Sequence, residues 1–198
     1  MHHSRTHVRF IPGLLTLLLL APVASFAHTG VSSPGGPDLI AGLLHPFTGL
    51  DHLLAMMAVG LWAARLGKSA TWLLPTLFPV VMAIGAGLAL RGIGLPMVEA
   101  MITISVIVLG VLALAGIRLP LVLSGALVSL FALAHGHAHG AELPAGGDAA
   151  AFAVGFIGST VVLHLIGLFF GMYAQRRTRL KLNTSGAELN NQSAIASD

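Results

Sequence analysis

No cysteine occurs among the 198 residues, so disulfides and thiolate metal sites are excluded from the outset. Charge is nearly as scarce: Asp, Glu, Lys and Arg together make up 9% of the chain, too few to clothe a soluble domain of this size. The basic residues form no patch interleaved with aromatics, which removes nucleic acid as a partner. No G-x4-G-K-[ST] stretch is present, so the chain does not hydrolyse ATP through a P-loop. What fills the space is apolar. Hydrophobic residues account for 56% of the sequence and fall into runs long enough to span a bilayer. Against that background, ten histidines to seven acidic residues is a high ratio.

Residues 1–27 read as a secretory signal peptide. Arg5 and Arg9 form the positive region, Leu14 to Ala21 the apolar region, and Ser25-Phe26-Ala27 a small-x-small cleavage site. Cleavage there makes His28 the mature N-terminus, where an α-amine beside an imidazole can chelate a metal. A short lead-in, 28–38, holds Gly30, Pro34, Gly35, Gly36 and Pro37. Five apolar segments follow at about 39–65, 71–90, 97–116, 119–136 and 150–174, each near the ~20 residues that a helix needs to cross hydrocarbon. Their connections are short, so the expected fold is an all-α integral membrane protein, one compact bundle of about five transmembrane helices over 39–175. Pro75 and Pro79 are expected to kink the second segment. Gly167 and Gly171 have the small-xxx-small spacing of close helix packing. Residues 176–198 read as a basic, then disordered, cytoplasmic tail, polar from Asn183 onward.

Charge sets the expected orientation. With a periplasmic mature N-terminus and five spans, Arg65, Lys68, Arg118, Arg176, Arg177, Arg179 and Lys181 share the cytoplasmic side and Arg91 stands opposite. Seven against one is the distribution of a bacterial inner-membrane protein with its C-terminus in the cytoplasm.

Within this apolar frame, His45-Pro46-Phe47-Thr48-Gly49-Leu50-Asp51-His52 puts two imidazoles and a carboxylate into the first span, with uncharged flanks from Leu39 to Leu44 and Leu53 to Ala64. Each such group costs roughly 2.5–3.5 kcal/mol on insertion, so three within eight residues mark a site or pathway. Imidazole and carboxylate together suit a borderline divalent metal such as nickel, cobalt or zinc. The plainer reading is that they hydrogen-bond one another and fix helix packing. On a straight helix His45 and His52 share a face, with Asp51 about a third of a turn away. Asp51 then either orients His52 from behind, or the Pro46–Gly49 region departs from helical geometry.

A second cluster, His135-Gly136-His137-Ala138-His139-Gly140-Ala141-Glu142, closes the fourth span. His135, His139 and Glu142 stand at i, i+4 and i+7 on one helical face, while His137 points elsewhere. The bland alternative is a weak surface chelator. In the expected topology both clusters, with Glu99 of the third span, lie in the periplasmic half of the membrane. His164 sits deeper, near the middle of the fifth span, as a relay ligand or a packing residue.

These motifs resemble those of the HupE/UreJ family of bacterial membrane proteins, regarded as nickel (or cobalt) permeases that accompany hydrogenase and urease. The resemblance covers residues 28 to about 174. It is carried by the H-x5-D-H pattern, His45 to Asp51-His52, within HPFTGLDHLLAMMAVGLWAA, and by the block from Phe131 to Glu142, close to the family's AHGxE pattern. Phe78, after a Trp-Leu-Leu-Pro run, and Glu99, after Leu95-Pro96, match further motif positions. The doubled His-Gly at 135–140 offers two imidazoles for one family ligand; His139, three residues before Glu142, is preferred.

The expected function is import of Ni²⁺ or Co²⁺ by a permease that is not an enzyme and holds no permanent cofactor. Metal is captured near His28, His139 and Glu142, bound by His45, Asp51 and His52, and released to cytoplasmic nickel-accepting assembly proteins. Two rivals use the same residues: a membrane-embedded hydrolase working through metal-bound water, and a metal-binding accessory protein without transport.

Overall fold

The computed structural model describes residues 38–143 and 148–196, which form helices and the turns between them. The expected signal peptide, its cleavage site, the lead-in up to Pro37 and His28 lie outside the described residues. Six helices are found among the described residues: α1 (Asp38–Thr48), α2 (Leu50–Leu66), α3 (Lys68–Leu90), α4 (Val98–Ala115), α5 (Leu121–Ala141) and α6 (Ala149–Ala196). α3 to α6 are each long and apolar enough to cross a membrane, and the count rises to five if α1 and α2 together make one broken span.

That break corrects the expectation of a single helix over 39–65. α1 and α2 meet at an angle of 80° around Gly49. Pro46 has no N–H, so the carbonyl of Gly42 loses its helical donor. Thr48 Oγ1 donates to the His45 carbonyl at 2.8 Å, satisfying a second carbonyl at the end of α1. Gly49 is then extended, with φ −101° and ψ 115°, and its carbonyl receives Leu53 N at 3.0 Å to start α2.

α6 is the spine along which the bent pair runs. The Asp148 N–H donates to Asp38 Oδ2 at 2.6 Å, Ser159 Oγ donates to the Leu43 carbonyl, and Gln175 Nε2 donates to the Ala64 carbonyl at 2.7 Å. The pair thus follows α6 from its start to the region of Gln175. Gly167 and Gly171 serve the close packing that their spacing suggests: a Cβ on Gly167 would fall 2.1 Å from the Met57 carbonyl oxygen, and one on Gly171 2.6 Å from Ala64 Cβ. The α3–α5 contact is as close. A Cβ on Gly136 would lie 1.8 Å from the Met82 carbonyl oxygen and one on Gly140 2.5 Å from that of Ala86.

Between these contacts lies a core of Met56, Val59, Trp62, Leu74, Phe78, Leu109 and Leu163, while Trp72, Val122 and Phe169 face outward. Large apolar groups on the outside are what a bilayer solvates. α3 continues through Pro75 and Pro79, and α6 continues to Ala196 where the sequence leads one to expect a disordered tail. No proline interrupts α6, and propagating a helix already nucleated needs only one further bond per residue.

Two glycine caps tie the helix ends together. At Gly92 (φ 73°) the Ile93 N–H returns to Leu88 O at 3.0 Å, and at Gly116 (φ 68°) the Ile117 N–H returns to Leu112 O at 3.1 Å. These are left-handed C-caps, for which glycine carries no Cβ penalty. Each turns the next carbonyl toward another helix: Ile93 O accepts from His137 Nε2 at 2.8 Å, and Ile117 O accepts from Trp62 Nε1 at 2.8 Å.

Candidate metal centre

The break at Gly49 brings the two histidines of the first cluster together across a corner, with ring centroids 5.9 Å apart. α5 supplies the third imidazole. His139 lies 4.7 Å from His45 and 4.4 Å from His52, centroid to centroid. One ligand nitrogen from each of the three falls within 4.8 Å of the others. His52 and His139 are buried, and His45 is partly so.

The hydrogen bonding leaves part of this cluster unsatisfied. Both ring nitrogens of His139 are buried without a hydrogen-bond partner. A buried polar group left unmade costs about 1–3 kcal/mol, a cost that a bound ligand would offset. Three imidazoles supply the donor set of a borderline divalent ion and leave positions open for further ligands. His45, His52 and His139 are therefore the residues that can hold a metal directly.

Asp51 stands behind them. Its Oδ1 accepts the backbone N–H of His52 at 3.0 Å and lies 3.1 Å from His52 Nδ1, in charge range without the alignment of a hydrogen bond. A carboxylate on that side favours the proton on Nδ1 and makes Nε2 the better metal donor. Both departures left open by the sequence occur here: the helix breaks, and Asp51 supports His52. Glu142, at the end of α5, has Oε2 4.0 Å from His139 Nδ1. His139, expected among the outer capture groups, lies with His45 and His52 in one cluster. Glu99 is exposed in the first turn of α4, outside the group of three.

His135 extends the cluster inward. Its ring is 5.3 Å from that of His52 and fully buried. Phe78 packs against it at 5.6 Å, and on to His164 at 5.2 Å. His137 is spent on the Ile93 carbonyl and takes no part, in keeping with its position off the shared face.

Two residues of the site escaped sequence reasoning. Phe156 lies 4.3 Å from His139 and 5.8 Å from His45, and Phe152 lies 5.7 Å from His45. Their i, i+4 spacing puts both on one face of α6, a face that Thr160 and His164 continue at the same interval. That stripe was the available signal.

The family model described as HupE / UreJ protein matches residues 15–195. The chain belongs to the HupE/UreJ family. It is 46% identical over 154 residues to Protein HupE of Rhizobium leguminosarum bv. viciae, covering 77% of this chain and 79% of that one. No solved structure matches it. The HupE/UreJ proteins are multi-pass membrane transporters for nickel or cobalt, not enzymes, and membership removes the hydrolase reading.

Proposed function

We propose that this HupE/UreJ protein is an inner-membrane permease that carries Ni²⁺, or Co²⁺, into the cytoplasm for delivery to metalloenzymes such as hydrogenase or urease. The observation that carries the reading is the buried cluster of His45, His52 and His139, with ligand nitrogens within 4.8 Å of one another and no hydrogen-bond partner for either ring nitrogen of His139. A cluster of this kind in an apolar bundle is a cargo site, because metal satisfies groups that hydrocarbon cannot.

In this reading α1 and α2 form a single crossing, giving five spans in all. The end that holds Asp38, Arg91, Glu142 and Asp148 is periplasmic, and the end that holds Arg65, Lys68 and Arg118 is cytoplasmic. Glu142 and Glu99 attract cations at the outer end, and His28, as the mature N-terminus after signal cleavage, is a further capture ligand. His45, His52 and His139 take the ion, with Asp51 as the charge behind His52. Cytoplasmic assembly proteins that accept nickel complete the transfer.

The test is radioactive nickel accumulation by vesicles reconstituted with the full chain. Accumulation that cobalt competes for, and that disappears in His52→Ala, supports the proposal. Nickel binding without accumulation would make the protein an accessory metal binder instead.

A further inference from the structure

Beyond the three-histidine cluster, two fully buried imidazoles have the same unusual electronic arrangement. His135 Nδ1 lies 2.9 Å from the Phe131 carbonyl oxygen, and His164 Nδ1 lies 3.2 Å from that of Pro75. A carbonyl only accepts, so each Nδ1 carries the proton and each Nε2 carries a bare lone pair. Both Nε2 atoms are buried without a hydrogen-bond partner.

The sequence of α3 explains how His164 is held. In an unbroken helix the Pro75 carbonyl would receive the N–H of residue 79. That residue is Pro79, which has none to give. The orphaned carbonyl is taken by His164 from α6, so a proline serves to fix an imidazole on another helix. Gly60 lets α2 close over the same place: a Cβ there would lie 2.0 Å from the His164 carbonyl oxygen.

We propose that His135 passes a borderline divalent cation out of the three-histidine cluster, along the Phe78 ring, to a second and weaker metal-resting position at His164, toward the middle of the membrane. The proposal rests on the transport reading above. His135 adjoins His52, and His164 lies eight residues beyond Phe156 on α6, about 12 Å along the helix. Phe78 touches both rings, so the ion passes from one Nε2 to the next around an aromatic wall, not through an open pore. Nitrogen-only donors suit Ni²⁺ or Co²⁺ and disfavour Mg²⁺ or Ca²⁺, which require oxygen. Fewer protein ligands at His164 also make it the weaker position, as conduction requires of a step that must release its ion.

The experiment uses Co²⁺ as a ligand-field absorption probe of the detergent-purified full chain, together with Ni²⁺ uptake by reconstituted vesicles. His164→Gln keeps a planar group that can donate to the Pro75 carbonyl but removes the imidazole lone pair. The wild type should bind two equivalents of Co²⁺ and His164→Gln only the tighter one, with unchanged affinity. Uptake at saturating Ni²⁺ should fall by about 10–100-fold, the range in which lost metal-site support is usually felt. Pro79→Ala restores an N–H that competes for the Pro75 carbonyl, and should weaken the second equivalent while leaving the first intact. Two equivalents in His164→Gln, wild-type uptake by it, or loss of the tighter equivalent along with the weaker would each overturn the inner position. If wild-type vesicles accumulate no Ni²⁺ while the Co²⁺ count still drops from two to one, the inner site stands and the transport reading falls.

Discussion

His139 has both ring nitrogens buried and unpartnered, an arrangement that hydrocarbon penalises and a metal ion relieves. Removing that side chain therefore separates function from folding. His139→Ala should eliminate nickel uptake while the protein still reaches the membrane, since deleting a polar group lowers the cost of burial. In thermal melts, nickel at 100 times its Kd should stabilise the wild type by about 2.7 kcal/mol and the variant by much less. Asp51 works through His52, so its replacement should be graded. Asp51→Asn keeps an oxygen to accept the His52 backbone N–H, but loses the charge beside Nδ1. Half-saturating nickel for uptake should rise by about 10–100-fold, with the maximal rate largely retained. His137 provides the contrast, because its Nε2 donates to the Ile93 carbonyl instead of facing the cluster. His137→Ala should cost about 1 kcal/mol of stability and leave half-saturating nickel unchanged. Dead transport in that variant, read from the same uptake curves, would transfer the ligand role away from His139.

At the scale of elements, the doubled His-Gly of α5 has two functions on two faces. His135 and His139 face the polar interior, while Gly136 and Gly140, at the same interval, seat α5 against the backbone of α3. The histidine face was legible in the sequence because a four-residue spacing fixes relative direction whatever the surroundings. The glycine face is equally regular, yet in so glycine-rich a chain spacing alone does not say which helix approaches which. The corner at Gly49 was half legible: Pro46 and Gly49 signalled a departure, but its 80° angle depends on how α1 and α2 pack along α6. Phe152 and Phe156 were missed because aromatics in an apolar helix look the same facing lipid or facing a metal site. Gly136→Ala tests the packing face. Its new methyl would meet the Met82 carbonyl oxygen at 1.8 Å, a backbone atom that cannot swing aside. Overpacking of this kind costs about 1–3 kcal/mol or more. The variant should melt lower with and without nickel and lose uptake in proportion to folded protein. Loss of uptake at unchanged melting temperature would mean that Gly136 acts on the metal and not on the seat.

For the whole molecule, function depends on which end of the bundle faces which compartment. The structure gathers the charges by end. Arg65 donates to the Leu114 carbonyl at 3.4 Å, beside the turn that holds Arg118, and Gln175 reaches Ala64 just before the basic run Arg176, Arg177 and Arg179. At the other end Asp38 meets Asp148, and Arg91 caps α3 near the α5 terminus that carries His139 and Glu142. Grouped this way, the basic residues concentrate at one end, and in the proposed orientation the positive-inside bias puts that end in the cytoplasm. A reporter fused after Arg179 should be active only in a cytoplasmic assay. One inserted in the 143–148 connection should be active only in a periplasmic one. These two positions are separated by a single unbroken helix, so they must differ whatever α1 and α2 do. A third reporter replacing everything before Asp38 addresses the bent pair: if the pair crosses once, that reporter shares the compartment of the 143–148 insertion. N-terminal sequencing of membrane-isolated protein should begin His-Thr-Gly, as cleavage after Ala27 requires. A cytoplasmic signal from the 143–148 insertion would reverse the direction of the path, so that the three-histidine cluster would receive metal from inside the cell and the protein would export it.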